Sequence, residues 1–263
     1  MASPLPSIFL SHGAPTFASN PGVAGPLLAA LGKAIPKPDA VIVVSPHWMT
    51  PQVLVSAAVK PPTIHDFGGF PVSLYSLQYP VPGHPLLAAR AVEVLKKAGW
   101  KATEHPVRGL DHGAWIPLRY IYPLADVPVF QVSMPSALNA NTAFLFGQAL
   151  APLASHGVMI VGSGSLTHNL GEFGNSEVNS APYVDEFVRW VRSAILRRDT
   201  QSLVDAMNLA PHALRAHPTI EHFLPLLVAL GAAPNLESVA VIEGGIQHSV
   251  LSMESYAFGW GNR

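Results

Sequence analysis

Short, unbroken runs of Val, Ile and Ala constrain the fold of this chain more than any other feature. "AVIVVS" (Ala40–Ser45), "VPVFQV" (Val127–Val132), "VMIVG" (Val158–Gly162) and "VAVIE" (Val239–Glu243) show little alternation of apolar and polar residues. A strand with one face in water alternates with period two, so strands like these are expected to be covered on both faces. Ser7–Leu10, Val53–Ala57 and Val250–Ser255 read as further short strands. Between the runs lie helical patterns. "HPLLAARAVEVLKKAG" places Pro85 in a first turn, basic residues in the last turn and Gly99 as a stop. "NTAFLFGQALAPLAS", "APYVDEFVRWVRSAILRRD" and "PTIEHFLPLLVALG" follow the same logic, the last opening after Pro218 or Thr219 and ending at Gly231. Alternating strands and helices predict an α/β fold: a central mixed, mostly parallel sheet with helices on both faces. The C-terminal pair split by "GGIQH" is expected to pair antiparallel. No repeat or linker interrupts the 263 residues, so one domain over 1–263 is expected.

Composition excludes several function classes. Hydrophobic residues make up 49% of the chain and charged residues only 12%, which rules out a disordered polymer and is compatible with a homo-oligomer. Net charge is -1 with no Lys/Arg run, which argues against nucleic acid and anionic membranes as partners. There is no cysteine, hence no disulfide framework, Cys nucleophile or thiolate ligand. The opening "MASPLPSIFLSHG" lacks a basic n-region, and no run approaches the roughly 20 apolar residues of a spanning helix. A cytoplasmic protein is expected.

The twelve histidines carry the chemistry. His12 ends the first strand, His47 follows "AVIVVSP", and His168 lies just beyond Val158–Gly162 in "VGSGSLTHNL". Ligands of doubly wound sheets bind outside the carboxyl ends of the strands, so these three would converge at one edge. Any one of them could equally be an ordinary loop hydrogen-bonder; the shared context sets them apart. His222 lies in "TIEHFLPLL" on the first turns of a helix, His112 in "GLDHGAW" before another, and His65 in the long loop "TIHDFGGFP". Neutral imidazoles with open positions suit a divalent metal that must also hold substrate. His84, His105, His156, His212 and His217 read as helix starts or polar loop positions, and His248 stays open. "GSGSLTH" lacks the order of a phosphate loop, and no G-x-S-x-G elbow is present.

The ordered set "FLSHGAP", "VVSPHW", "PTIHDFGGFP", "LYSLQYPVPGHP", "DHGAW", "GSGSLTHNL" and "EHFLPLL" closely resembles the 4,5-DOPA dioxygenase extradiol family, within the class III, LigB-type ring-cleaving dioxygenases. The resemblance runs from about Ile8 to Ser255. It implies a non-haem Fe(II) site that opens a catechol-type aromatic diol with O2. On that resemblance His12, His47 and His222 are expected as metal ligands. His168 is expected as acid/base and as a fourth ligand in some metal forms, and His112 as a catalytic neighbour touching substrate or dioxygen. His65, Asp66 and Phe67 are expected to line the substrate pocket, and Zn would suit the same ligands. Phe67, Phe70, Trp48 and Trp115 are candidate walls for a flat ring, although core packing is the ordinary use of each. Two other readings fit the residues: a LigB-fold metal-binding or partner-binding protein without ring cleavage, and a zinc hydrolase. Retention of His12, His47, His168 and His222 favours the enzyme.

Overall fold

The computed structural model describes residues 5–174 and 180–261. Its strands are β1 (Ser7–Ser11), β2 (Ala40–Thr50), β3 (Val53–Ser56), β4 (Ala102–His105), β5 (Val129–Pro135), β6 (Val158–Gly164), β7 (Val239–Ile242), β8 (Ile246–Gln247), β9 (Leu251–Ser252) and β10 (Ser255–Phe258). Its helices are α1 (Ala24–Ala34), α2 (Val72–Tyr75), α3 (Pro85–Lys97), α4 (His112–Ile121), α5 (Ala140–Leu150), α6 (Pro182–Leu196), α7 (Thr200–Val204), α8 (Ala206–Leu209), α9 (Ala213–Ala216) and α10 (Leu224–Gly231). Eight strands form one mixed sheet in the order β4-β3-β5-β2-β6-β1-β10-β7. The middle four, β5, β2, β6 and β1, are parallel; β3 runs against β5, and β10 runs against both β1 and β7.

The unbroken apolar runs lie where both sheet faces are covered. Along β2, Ile42 and Val44 join one hydrophobic cluster while Val41 and Val43 join the other, all fully buried. Along β1, Phe9 faces the first cluster and Ile8 and Leu10 the second. α3, α5, α6 and α10 cover the first face through Leu95, Phe146, Phe187 and Leu227. α1 and α4 cover the second through Leu28 and Trp115. Each such side chain contributes about 1.5–3 kcal/mol on burial. Among the described residues no helix is long and apolar enough to cross a membrane.

Three local outcomes depart from the expected boundaries, and each has a cause. β2 does not stop at Ser45 but resumes pairing with β5 at Met49, leaving Pro46, His47 and Trp48 outside the register. Pro46 has no N–H to give the ladder, so the chain bulges there. The expected strand at Val250–Ser255 is split. Positive φ at His248 and Ser249 folds residues 246–252 into the small β8–β9 hairpin, and β10, further on, is the antiparallel partner of β7. The helix expected after Thr219 starts at Leu224, with Pro225 in its first turn, so Glu221 and His222 stand in the turn before it.

Candidate functional site

β1, β6 and β2 are neighbours running in one direction, so their carboxyl ends open at one place. His12 follows β1 directly, and its backbone N–H extends the ladder to the Gly164 carbonyl at 2.9 Å. His47 projects from the β2 bulge, where leaving the register frees its ring from the sheet. His168 leaves the loop after β6, its backbone N–H on the Ala216 carbonyl at 2.8 Å. Two more rings come from other elements. His112 is the first residue of α4, which Asp111 caps by accepting from the Ala114 N–H. His222 stands before α10, and its carbonyl accepts from the Ser165 N–H at 3.0 Å.

Two glycines permit this convergence. A Cβ at Gly113 would lie 2.7 Å from Ser45 Oγ and 3.1 Å from the His12 and His47 rings, so only glycine lets α4 approach. A Cβ at Gly164 would lie 2.3 Å from the His222 carbonyl oxygen.

Hydrogen bonds fix two of the three tautomers. Ser163 Oγ donates to the Gly113 carbonyl and so must accept from His12 Nδ1–H at 3.0 Å. The Asp66 carboxylate can only accept, and it faces His47 Nδ1 at 3.5 Å. Glu221 likewise accepts from His222 Nδ1 at 3.1 Å. The protons of His12 and His222 therefore sit on Nδ1, the Asp66 carboxylate favours the same tautomer of His47, and the three Nε2 atoms face inward. His12 Nε2 and His47 Nε2 are 3.2 Å apart, and His222 Nε2 is buried without a hydrogen-bond partner. One ligand atom from each of the three rings lies within 4.8 Å of the others.

Lone pairs turned on one another are unfavourable unless a cation lies between them. Two nitrogens about 2.1 Å from a common ion would be about 3–3.4 Å apart, so the donor set fits a divalent transition metal. Burial, followed by the neighbouring imidazoles, depresses His12 far below the ordinary histidine range and His47 to about 2, with Asp66 opposing the shift of His47. Burial also lowers His222, against the pull of Glu221. All three are neutral at neutral pH, the state that ligates.

His168 stacks flat on His222, ring centroids 3.5 Å apart and planes within 7°. Burial, then His222, lowers it to about 3. His112 packs 4.0 Å from His47 and gives Nδ1–H to Asp66 Oδ2 at 2.9 Å and its backbone N–H to Oδ1 at 2.8 Å. Burial raises the Asp66 carboxyl, but these bonds prevail and hold it at about 2.

A cavity of about 210 Å³ opens over the rings. Its floor includes His12, His47, His112, His168 and His222, and its walls include Phe67, Phe70, Leu170, Phe173 and Leu251. Of the three pocket residues expected from the long loop, Phe67 reaches the wall. His65 does not line the cavity: its Nε2 bonds the Leu77 carbonyl at 2.9 Å and its ring packs against Phe67 and Trp115. Asp66 is turned onto the two histidines instead. Trp48 and Trp115 are not cavity walls either. Trp48 lies under Arg108, and Trp115 is fully buried, donating to the Ile64 carbonyl. Leu170, Phe173 and Leu251 are not singled out by the sequence, and Ser163 stands there only as one of the small residues around His168.

The family model described as the catalytic LigB subunit of aromatic ring-opening dioxygenase matches residues 8–259. A Beta vulgaris protein named 4,5-DOPA dioxygenase extradiol is 39% identical over 258 residues, covering 96% of each chain. An Escherichia coli K12 protein of the same name is 37% identical over 265 residues, covering 97% of this chain and 95% of its own. A crystal structure of an uncharacterized protein from E. coli K12 superposes with a TM-score of 0.80 at 32% identity, covering 97% of this chain and 99% of its own.

Proposed function

The chain belongs to the LigB family of aromatic ring-opening dioxygenases, and from that premise we propose that it is an extradiol dioxygenase. In this reading one catalytic domain over residues 1–263 opens a substituted catechol with O2 at a non-haem Fe(II). The observation that carries it is the inward convergence of three neutral imidazoles, each with a polar partner on its Nδ1 side.

His12, His47 and His222 are the residues proposed to hold the ion. Bound there, it would supply adjacent positions at which a chelating diol and dioxygen meet as one pair. Phe67, Phe70 and Phe173 offer faces and edges for a flat ring, and with Leu170 and Leu251 they keep bulk water from its apolar side. His168 is the proposed acid/base. Its ring is neutral at pH 7, and negative charge developing on the bound diol would raise its affinity for the diol's second proton. His112, steadied by Asp66, is the proposed neighbour on the other side of the site.

The test is oxygen uptake by protein loaded anaerobically with Fe(II) and mixed with catechol, DOPA, caffeate and protocatechuate. A yellow ring-opened product with matching uptake is expected from at least one diol. The same imidazoles suit zinc, which is expected to fill the site without turnover. No uptake across the panel with iron verified as bound would overturn the proposal. Ester hydrolysis by the zinc form would favour a hydrolase instead.

A further inference from the structure

Asp66 stands where two histidines from unrelated elements meet. His47 comes from the β2 bulge and His112 from the start of α4, and neither has another carboxylate on its Nδ1. The loop bearing Asp66 is tied to the approach to α4. Ile64 N–H donates to the Leu110 carbonyl at 2.8 Å, and Trp115 Nε1 donates to the Ile64 carbonyl at 3.0 Å. Thus anchored, Oδ1 accepts the His112 backbone N–H at the helix N-terminus, where negative charge is favoured. Oδ2 accepts His112 Nδ1–H at 2.9 Å and faces His47 Nδ1 at 3.5 Å.

One oxygen therefore bonds the His112 ring and lies against the Nδ1 side of His47, so that the Nε2 atoms of both rings point away from it. The carboxylate accepts two N–H groups of His112, has His47 Nδ1 beside it and is not part of the cavity wall, although its side chain remains 20% exposed. We infer that Asp66 is a positioning residue that acts on the metal centre through His47 and His112, not a residue that touches substrate. The inference rests on the proposal that His47 helps to hold a metal. A carboxylate behind a ligating imidazole raises the basicity of the ligand nitrogen and fixes its direction. A substrate-binding aspartate would do neither.

The two roles separate in measurements that need no turnover. Metal-free wild type, Asp66→Ala, Asp66→Asn and Asp66→Glu are titrated with Co(II) and Zn(II) against a competing chelator, and the Co(II) absorption band is recorded. Asp66→Asn keeps the shape of the side chain and an acceptor for the His112 backbone N–H, so it guards against loss of fold in the alanine variant. Asp66→Ala and Asp66→Asn are expected to bind about 10–100-fold more weakly, with a changed Co(II) spectrum, and Asp66→Glu to recover part of the loss. Once saturated with iron, the variants should be reduced in kcat more than raised in KM. Wild-type metal affinity in both Asp66→Ala and Asp66→Asn, with only KM raised, would overturn the positioning role and leave the metal site standing. Wild type that binds neither ion would overturn the metal site and this inference together.

Discussion

At the scale of single residues, the imidazoles divide into those that converge through Nε2 and those packed beside them. His12→Ala, His47→Ala and His222→Ala each remove one of three facing nitrogens and are expected to purify with little bound metal, measured by elemental analysis. His168→Ala removes a ring that stacks on His222 without joining that trio. It is expected to retain metal and lose turnover about 10²–10⁴-fold, read from oxygen uptake at saturating diol; loss of metal instead would make His168 a ligand. Ser163→Ala is the subtler test. It removes the acceptor that keeps the His12 proton on Nδ1, so metal affinity should fall about tenfold or more in a chelator competition. His12, His47 and His168 were legible as a group because strand-end position shows in an apolar run. Ser163 was not, because its role depends on two partners 50 and 151 residues distant along the chain.

Elements were legible in proportion to how far burial dictated their composition. β2 and β6, covered on both faces, announce themselves as continuous apolar runs. β4, with Thr103 and Glu104 exposed at the sheet edge, carries no such run and was missed. The start of α10 was misplaced because Pro218, Thr219 and Pro225 are all admissible helix openers; docking of the turn against β6 selects the last. That docking can be tested with Gly164→Ala. Its Cβ would meet the His222 carbonyl at 2.3 Å, and neither a central strand nor a turn bonded to Ser165 can yield cheaply. Destabilisation of about 1–3 kcal/mol is expected. Melting should drop by roughly 2–4 °C per kcal/mol, together with metal affinity, because the turn carries His222.

At the scale of the whole molecule, burying so many neutral imidazoles ties stability to pH. His217 is fully buried and is not one of the trio; burial lowers it to about 4, against the Leu166 carbonyl that accepts its Nε2–H, and His222 lowers it further. Between that value and the ordinary histidine range near 6.5, the unfolded chain binds the proton that the folded chain refuses, so stability rises with pH across the window. Below it, this residue alone costs up to about 3 kcal/mol. Urea unfolding of metal-free protein should show lower stability at pH 5 than at pH 7.5. His217→Gln, which keeps a donor for the Leu166 carbonyl, should flatten part of that slope; an unchanged slope would sink the assignment. By itself the sequence determined the α/β class and the strand ends that carry His12, His47 and His168, because apolar runs and the residues that stop them are local properties. Only the tertiary structure decided that Asp66 faces histidines instead of the cavity, that His65 and Trp115 support the wall from behind, and that His222 stands in a turn. Those outcomes depend on which segments share the space above β1, β6 and β2, and packing of distant elements settles that, not periodicity along the chain.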